Sequence, residues 1–234
     1  MNERPTFPGE ALAEAGLNRQ FVFDLADLPD ETRRTLGDTT GYRQLILLGH
    51  GGKRLWECVR AADLASEHPI DDYTVRVVAS WLAEQLPGRA YRIIYPGTQP
   101  VGLQALGKLA GWHHTSPFMV GIDAEWGSWY AYRAAVLIDF EFQACSPVNR
   151  ESPCDTCRSK PCIAACPADA LAGGSFALDR CSNYRLSENS ACATSCLARE
   201  TCPVGAEHRY DKAQLAHSYG RSLAMIRQFA ASKP

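Results

Sequence analysis

The sequence contains no long apolar run. Its longest weakly charged stretch, Val101 to Ile122, holds Lys108, His113, His114 and Pro117, whereas a membrane-spanning helix needs about 20 apolar residues. The stretch reads as broken helix and loop within a globular domain. Nothing resembling an export signal stands at the start: Glu3, Arg4, Glu10 and Glu14 interrupt Met1 to Leu17, and no apolar core of the required length follows. An excess of positive charge is also missing, with 24 Lys and Arg against 26 Asp and Glu, so the basic footprint of a nucleic-acid binder is absent. The familiar hydrolase signatures H-E-x-x-H and G-x-S-x-G do not occur. Gly49-His50-Gly51-Gly52 is glycine-rich but lacks the Gly-Lys-Ser/Thr ending of a Walker loop, and reads as a plain strand-to-helix turn. These absences, with 46% hydrophobic residues and a net charge of -2, lead us to expect a cytoplasmic protein with a sizeable core and neither nucleic-acid nor membrane partners.

What the sequence does have is cysteine. Eight of its ten cysteines lie between Cys154 and Cys202, and both Cys166 and Cys202 precede a proline. The run Cys154, Cys157, Cys162, Cys166, Pro167 spells C-x2-C-x4-C-x3-C-P, a loosened form of the bacterial ferredoxin run C-x2-C-x2-C-x3-C-P. Eight thiolates suit two [4Fe-4S] clusters, and in two-cluster ferredoxins the last cysteine of a run ligates the other cluster. The expected sets are Cys154, Cys157, Cys162 and Cys202 for one cluster, and Cys166, Cys181, Cys192 and Cys196 for the other. Two structural zinc sites form a competing account, since zinc favours tetrahedral thiolate ligation; zinc ribbons, however, usually supply two paired knuckles rather than one compact run and one sparse set. Disulfides are the third account, disfavoured without export because the cytosol keeps thiols reduced. The expected role is electron transfer.

The cysteine cluster divides the chain into residues 1–145 and a ferredoxin-like domain at 146–234. In the first part, Gln20 to Leu25, Arg43 to Leu48, Ala90 to Tyr95 and Trp129 to Asp139 read as strands. Lys53 to Ala65, Tyr73 to Leu86 and Gly102 to Gly111 carry helical periodicity, so the expected class is α+β, an α/β layer on a central sheet. Phe140 to Ser152, containing Pro147 and Asn149, reads as a linker, and Asp211 to Ala231 as a closing amphipathic helix. Cys58 and Cys145 read as inert packing residues, and Trp126, Trp129, Tyr130 and Tyr132 as core. His113-His114 is a loop pair, solvent-facing or hydrogen-bonded.

Two blocks carry a resemblance to known families. Leu109-Ala-Gly-Trp112-His-His-Thr115, followed by Asp123-Ala-Glu-Trp-Gly127-Ser-Trp129 and the strand to Ile138, resembles the G-W-x-x-x-H-T…G-S-W segment of epoxyqueuosine reductases. Asp179-Arg-Cys181-Ser-Asn-Tyr184 is similar to their R-C-x-x-Y element, whose cysteine is a cluster ligand. Phe118 to Ile138, with Gly127, Trp129 and Arg133, is similar to the G-G-W-F-x-x-R strand of the cobalamin-processing protein CblC. Reductive dehalogenases are related to both. The resemblance implies a nitroreductase-derived corrinoid-binding domain followed by a two-cluster ferredoxin domain.

The departures select between these relatives. Where epoxyqueuosine reductases carry a catalytic aspartate in V-D-S/T-x-P, this sequence reads Ile94-Tyr95-Pro96-Gly97-Thr98, and the lysine of their G-W-I-G-K-H-T is lost. Their C-terminal helical extension is also missing, and no D-x-H-x-x-G occurs to suggest a histidine replacing the corrinoid's lower base. The resemblance therefore implies a CblC-like oxidoreductase that reduces the cobalt of bound cobalamin and removes or exchanges its upper ligand, with electrons from a reductase, flavodoxin or ferredoxin. Gly127 would permit close backbone approach to the corrinoid, Trp129 would cover a ring face, and Arg133 would hold a carboxylate, amide or phosphate. The other readings are a plain electron carrier with a docking domain and an FMN-dependent reductase.

Overall fold

Strands β1 (Arg19–Asp24), β2 (Gln44–Gly51), β3 (Tyr91–Tyr95) and β4 (Tyr130–Ile138) form one antiparallel sheet in the order β1-β2-β4-β3. The structure is a computed structural model that describes residues 3–148 and 150–232; Asn149, inside the expected linker, lies outside the described residues. Every residue of β2 is buried, because a central strand with both faces covered alternates between two apolar surfaces. Ile46, Leu48, Ala134 and Val136 face one core with Leu12, Leu55, Val78 and Leu82, on helices α1 (Glu10–Glu14), α3 (Arg54–Ala61) and α4 (Pro69–Gln85). Leu45, Leu47, Ala135 and Leu137 face the other, with Leu36, Leu106 and Trp112, beside α2 (Asp30–Arg34) and α5 (Leu103–Leu109). The result is a mixed α/β layer built on a small antiparallel sheet.

Packing divides the chain into two compact units. The first comprises the described residues up to Trp112 and from Tyr130 to 148; the second joins His113–Trp129 to the described residues from Arg150 onward. A single cut after residue 145 does not describe this division, because the segment 113–129 leaves the sheet and packs Phe118 and Ile122 among the cysteines. In the second unit, α6 (Pro153–Thr156), α7 (Pro161–Ala164) and α9 (Leu197–Glu200) are single turns. Longer helices are α8 (Leu178–Leu186) and α10 (Lys212–Ala231). Asp211 caps α10 by accepting from Gln214 N at 2.7 Å.

Two local expectations need correction. β2 continues through Gly51, so Gly49 and His50 are strand residues, and the turn is made at Gly52 with φ +72°. At Gly49 a Cβ would stand 2.8 Å from the Ala131 carbonyl oxygen, so the glycine serves close strand pairing rather than a turn. Cys145 is exposed and accepts a hydrogen bond from Val22 N at 3.4 Å, whereas Cys58 packs against the first core. Among the described residues no helix is long and apolar enough to cross a membrane.

Candidate functional site

The cysteines of the second unit line two separate cavities. Cys154, Cys157, Cys162 and Cys202 line one, with Ile122, Pro161 and Val204. Cys166, Cys181, Cys192 and Cys196 line the other, with Leu171, Tyr184 and Tyr219. The second cavity measures about 220 Å³ and the first about 20 Å³. Phe118, 6% exposed, belongs to both linings and forms a common wall.

Local backbone chemistry explains how the irregular run reaches this arrangement. Ser152 caps the first turn by accepting from Cys154 N at 3.3 Å. The two extra residues between Cys157 and Cys162 are absorbed by Lys160, which takes a left-handed conformation at φ +38°, and by Pro161 at the start of α7, where a missing N–H costs nothing. Cys162 is thereby returned to the cavity of Cys154 and Cys157. Helix α7 ends before Cys166, and the turn made as Asp169 N donates to the Cys166 carbonyl leads the chain toward the second cavity. Cys202 follows α9, which packs against α7, and this packing carries a distant cysteine to the first cavity.

The thiols feel one another. Burial pushes the Cys154 thiol up to about 11, and its neighbours Cys202, Cys162 and Cys157 add to the shift, with Lys160 opposing. Cys162 is raised by burial first and by Cys202 and Cys157 next, and Cys202 by burial first, with the Val204 backbone N–H opposing it more than Cys157 adds. Cys181 and Cys196 are raised for the same leading reason. Gathering four thiolates in an apolar cavity is therefore unfavourable without a compensating cation, and ligation must release their protons.

Among the described residues no three His, Cys, Asp or Glu side chains stand close enough to share one metal ion. The thiols instead line two cavities, and the larger, at about 220 Å³, has more room than a single ion needs. Ser195, whose Oγ is buried and without a hydrogen-bond partner among the described residues, lines the larger cavity and leaves a hydroxyl donor there unused. Sequence reasoning missed Phe118, Arg185, Ser195 and Tyr219 as lining residues, because no motif marks them.

Gly127 and Trp129 belong to the second unit, not to the sheet domain expected to use them. Gly127 has φ +58°, and a Cβ there would meet the Val204 carbonyl oxygen at 2.0 Å; the close approach is to protein backbone. Gly205 makes the reciprocal fit, its Cβ falling 2.5 Å from Trp126 C. Because Val204 lines the first cavity, Gly127→Ala is expected to destabilise this unit by at least about 2 kcal/mol through strain and overlap, and to weaken retention of whatever Cys202 holds. Denaturant unfolding checks this, and an unchanged midpoint would refute the packing. Trp129 is fully enclosed, with the Arg199 guanidinium 4.4 Å over its ring and Tyr210 edge-on at 5.5 Å. No ring face remains for a corrinoid.

Arg133 stands alone of the three on the sheet, half-buried on β4. Its Nε donates to His50 Nδ1 at 2.9 Å, which puts that ring's proton on Nε2. Burial raises the Tyr95 phenol, and the charge of Arg133 opposes the rise, so Tyr95, His50 and Arg133 form a polar group within the first unit. His113 is 8% exposed rather than solvent-facing, and His114 N bonds the Ile122 carbonyl at 2.9 Å.

Comparison with known proteins places this architecture. An epoxyqueuosine reductase from Streptococcus thermophilus superposes with a TM-score of 0.51 at 15% identity, over 82% of this chain and 64% of its own. The B12-trafficking protein CblC of C. elegans matches with a TM-score of 0.50 at 12% identity, over 94% of this chain and 91% of its own. The chain shares their fold. A reductive dehalogenase described as carrying out B12-dependent dehalogenation matches with a TM-score of 0.54 at 12% identity, over 98% of this chain and 38% of its own. The chain thus spans under two thirds of the first of these proteins and little over one third of the last. No family model matches the sequence, and no curated protein does either.

Proposed function

We propose that this protein is an iron-sulfur oxidoreductase acting on a corrinoid. The observation that carries the reading is the division of eight cysteines into two cavities of four. Cys154, Cys157, Cys162 and Cys202 would hold one [4Fe-4S] cluster, and Cys166, Cys181, Cys192 and Cys196 the other. When bound, such clusters store single electrons and a corrinoid's cobalt accepts them with loss or exchange of its upper ligand. Phe118 and Leu171 exclude water from the thiols, and Ser195 Oγ offers a hydrogen bond, which raises a cluster's potential. The fold shared with a B12-trafficking protein and a B12-dependent dehalogenase supports the corrinoid half of the reading, as does the oxidoreductase character of its neighbours.

Arg133 is the corrinoid contact proposed for the first unit. Anchored through Nε by His50, its guanidinium retains further N–H donors for an amide, carboxylate or phosphate. Cobalamin is expected to bind at micromolar affinity or better. A hydrogen bond to a charged group contributes roughly 1.5–3 kcal/mol, so Arg133→Ala should weaken binding roughly tenfold to a hundredfold while leaving thermal unfolding cooperative. Calorimetric titration with a parallel visible spectrum checks both; no heat and no spectral change in the native protein would leave the plain electron carrier standing. Retention of FMN through purification would favour the flavin reductase instead.

A further inference from the structure

Two arginines are buried near Cys166, Cys181, Cys192 and Cys196: Arg185 lines their cavity, and Arg199 lies outside its lining but close enough for its charge to act on Cys196. Arg185, on α8, is 8% exposed. Its Nε donates to the Cys192 carbonyl at 3.1 Å, Nη1 to Ser222 Oγ at 3.0 Å and Nη2 to the Tyr219 carbonyl at 2.8 Å. Arg199, on α9 just after Cys196, is 7% exposed. It donates through Nε to Ser128 Oγ at 3.2 Å and through Nη2 to the Ser128 carbonyl, and it lies over the rings of Trp129 and Tyr210. All these partners are uncharged. Among the described residues neither arginine forms an ion pair with Asp or Glu.

A guanidinium stays protonated even when buried, and a buried charge without a counter-charge is strongly destabilising even when its hydrogen bonds are made. The anions this cavity offers are its own thiolates. We propose that Arg185 and Arg199 are the counter-charges of the cluster held by Cys166, Cys181, Cys192 and Cys196, and that they make it the first of the two to be reduced. This rests on the iron-sulfur reading above. An external one-electron donor of low potential adds one negative charge to a group already carrying four thiolates, and fixed buried cations favour that added charge with little screening. The cations near the first set are less enclosed: Lys160 is exposed, and half-buried Arg209 donates to the Cys202 carbonyl at 3.1 Å.

The test is a potentiometric titration followed by electron paramagnetic resonance on the anaerobically reconstituted full-length protein, native and as Arg185→Gln and Arg185→Lys. Native protein should reduce in two resolved steps. Arg185→Gln should move the first step to lower potential by at least a tenfold change in the reduced-to-oxidised ratio, about 59 mV for one electron, and leave the other in place. Arg185→Lys should restore it, because it returns the charge without the same hydrogen bonds. Loss of half the iron in Arg185→Gln that lysine prevents would support the counter-charge role equally. An unmoved first step with iron and sulfide intact would overturn the proposal, as would a shift or iron loss that lysine does not repair. Native protein without iron and sulfide would instead sink the cluster reading itself, a separate failure.

Discussion

Anaerobically reconstituted protein is expected to bind about eight irons and about eight sulfides, twice the content of one four-iron cluster. The two cavities supply the reason, since each is lined by four thiols. Stoichiometric zinc without inorganic sulfide would refute it and favour the structural-zinc account. The same division makes a sharper statement about single residues. Cys202→Ser should damage the cluster of Cys154, Cys157 and Cys162, far upstream in the chain, because Cys202 shares their cavity. Cys181→Ser should damage the other. Metal analysis with resonance Raman or paramagnetic spectra distinguishes them, and loss of the second cluster alone in Cys202→Ser would reverse the assignment.

The protein should not reduce epoxyqueuosine in tRNA, despite sharing a fold with an enzyme of that name. By the sequence resemblance, Tyr95 stands where those enzymes carry a catalytic aspartate. A positioned general acid contributes about two to four orders of magnitude in rate, and a phenol whose proton affinity burial raises further is no substitute for a carboxylic acid. Charge points the same way: 24 Lys and Arg against 26 Asp and Glu give no overall attraction for a phosphate backbone. Reduced, cluster-loaded protein with cobalamin and epoxyqueuosine-containing tRNA should yield no queuosine by mass spectrometry. Repeated turnover would overturn the CblC-like reading and restore the reductase one.

Both expectations began in the spacing of residues along the chain, and how far such spacing reaches differs from element to element. The four strands are legible as short runs of β-branched and apolar residues between helical stretches, and Arg19–Asp24 and Tyr91–Tyr95 lie within a residue of where those runs put them. Helix α10 is legible from its cap at Asp211 and its periodic apolar face. The division of the cysteines between two cavities is legible too, because a run ending in Cys-Pro followed by a distant Cys-Pro limits how eight thiols group. These are local patterns, and local physics writes them into the sequence.

Tertiary structure alone decided where the segment 113–129 goes. Its aromatic and glycine residues have no period that distinguishes packing on a sheet from packing among cysteines, so Gly127 and Trp129 looked like cofactor contacts. The fold gives them instead to Val204, Gly205 and Arg199. Burial of Arg185 and Arg199 was equally invisible, since an arginine in a polar sequence context normally faces water. Only the convergence of α8, α9 and α10 removes both from solvent beside the thiols. Sequence by itself thus determined where eight thiols stand and how they divide between two cavities, because residue identity and spacing are chain properties. The charge around them was decided by the fold, because burial depends on contacts between segments that no local pattern encodes.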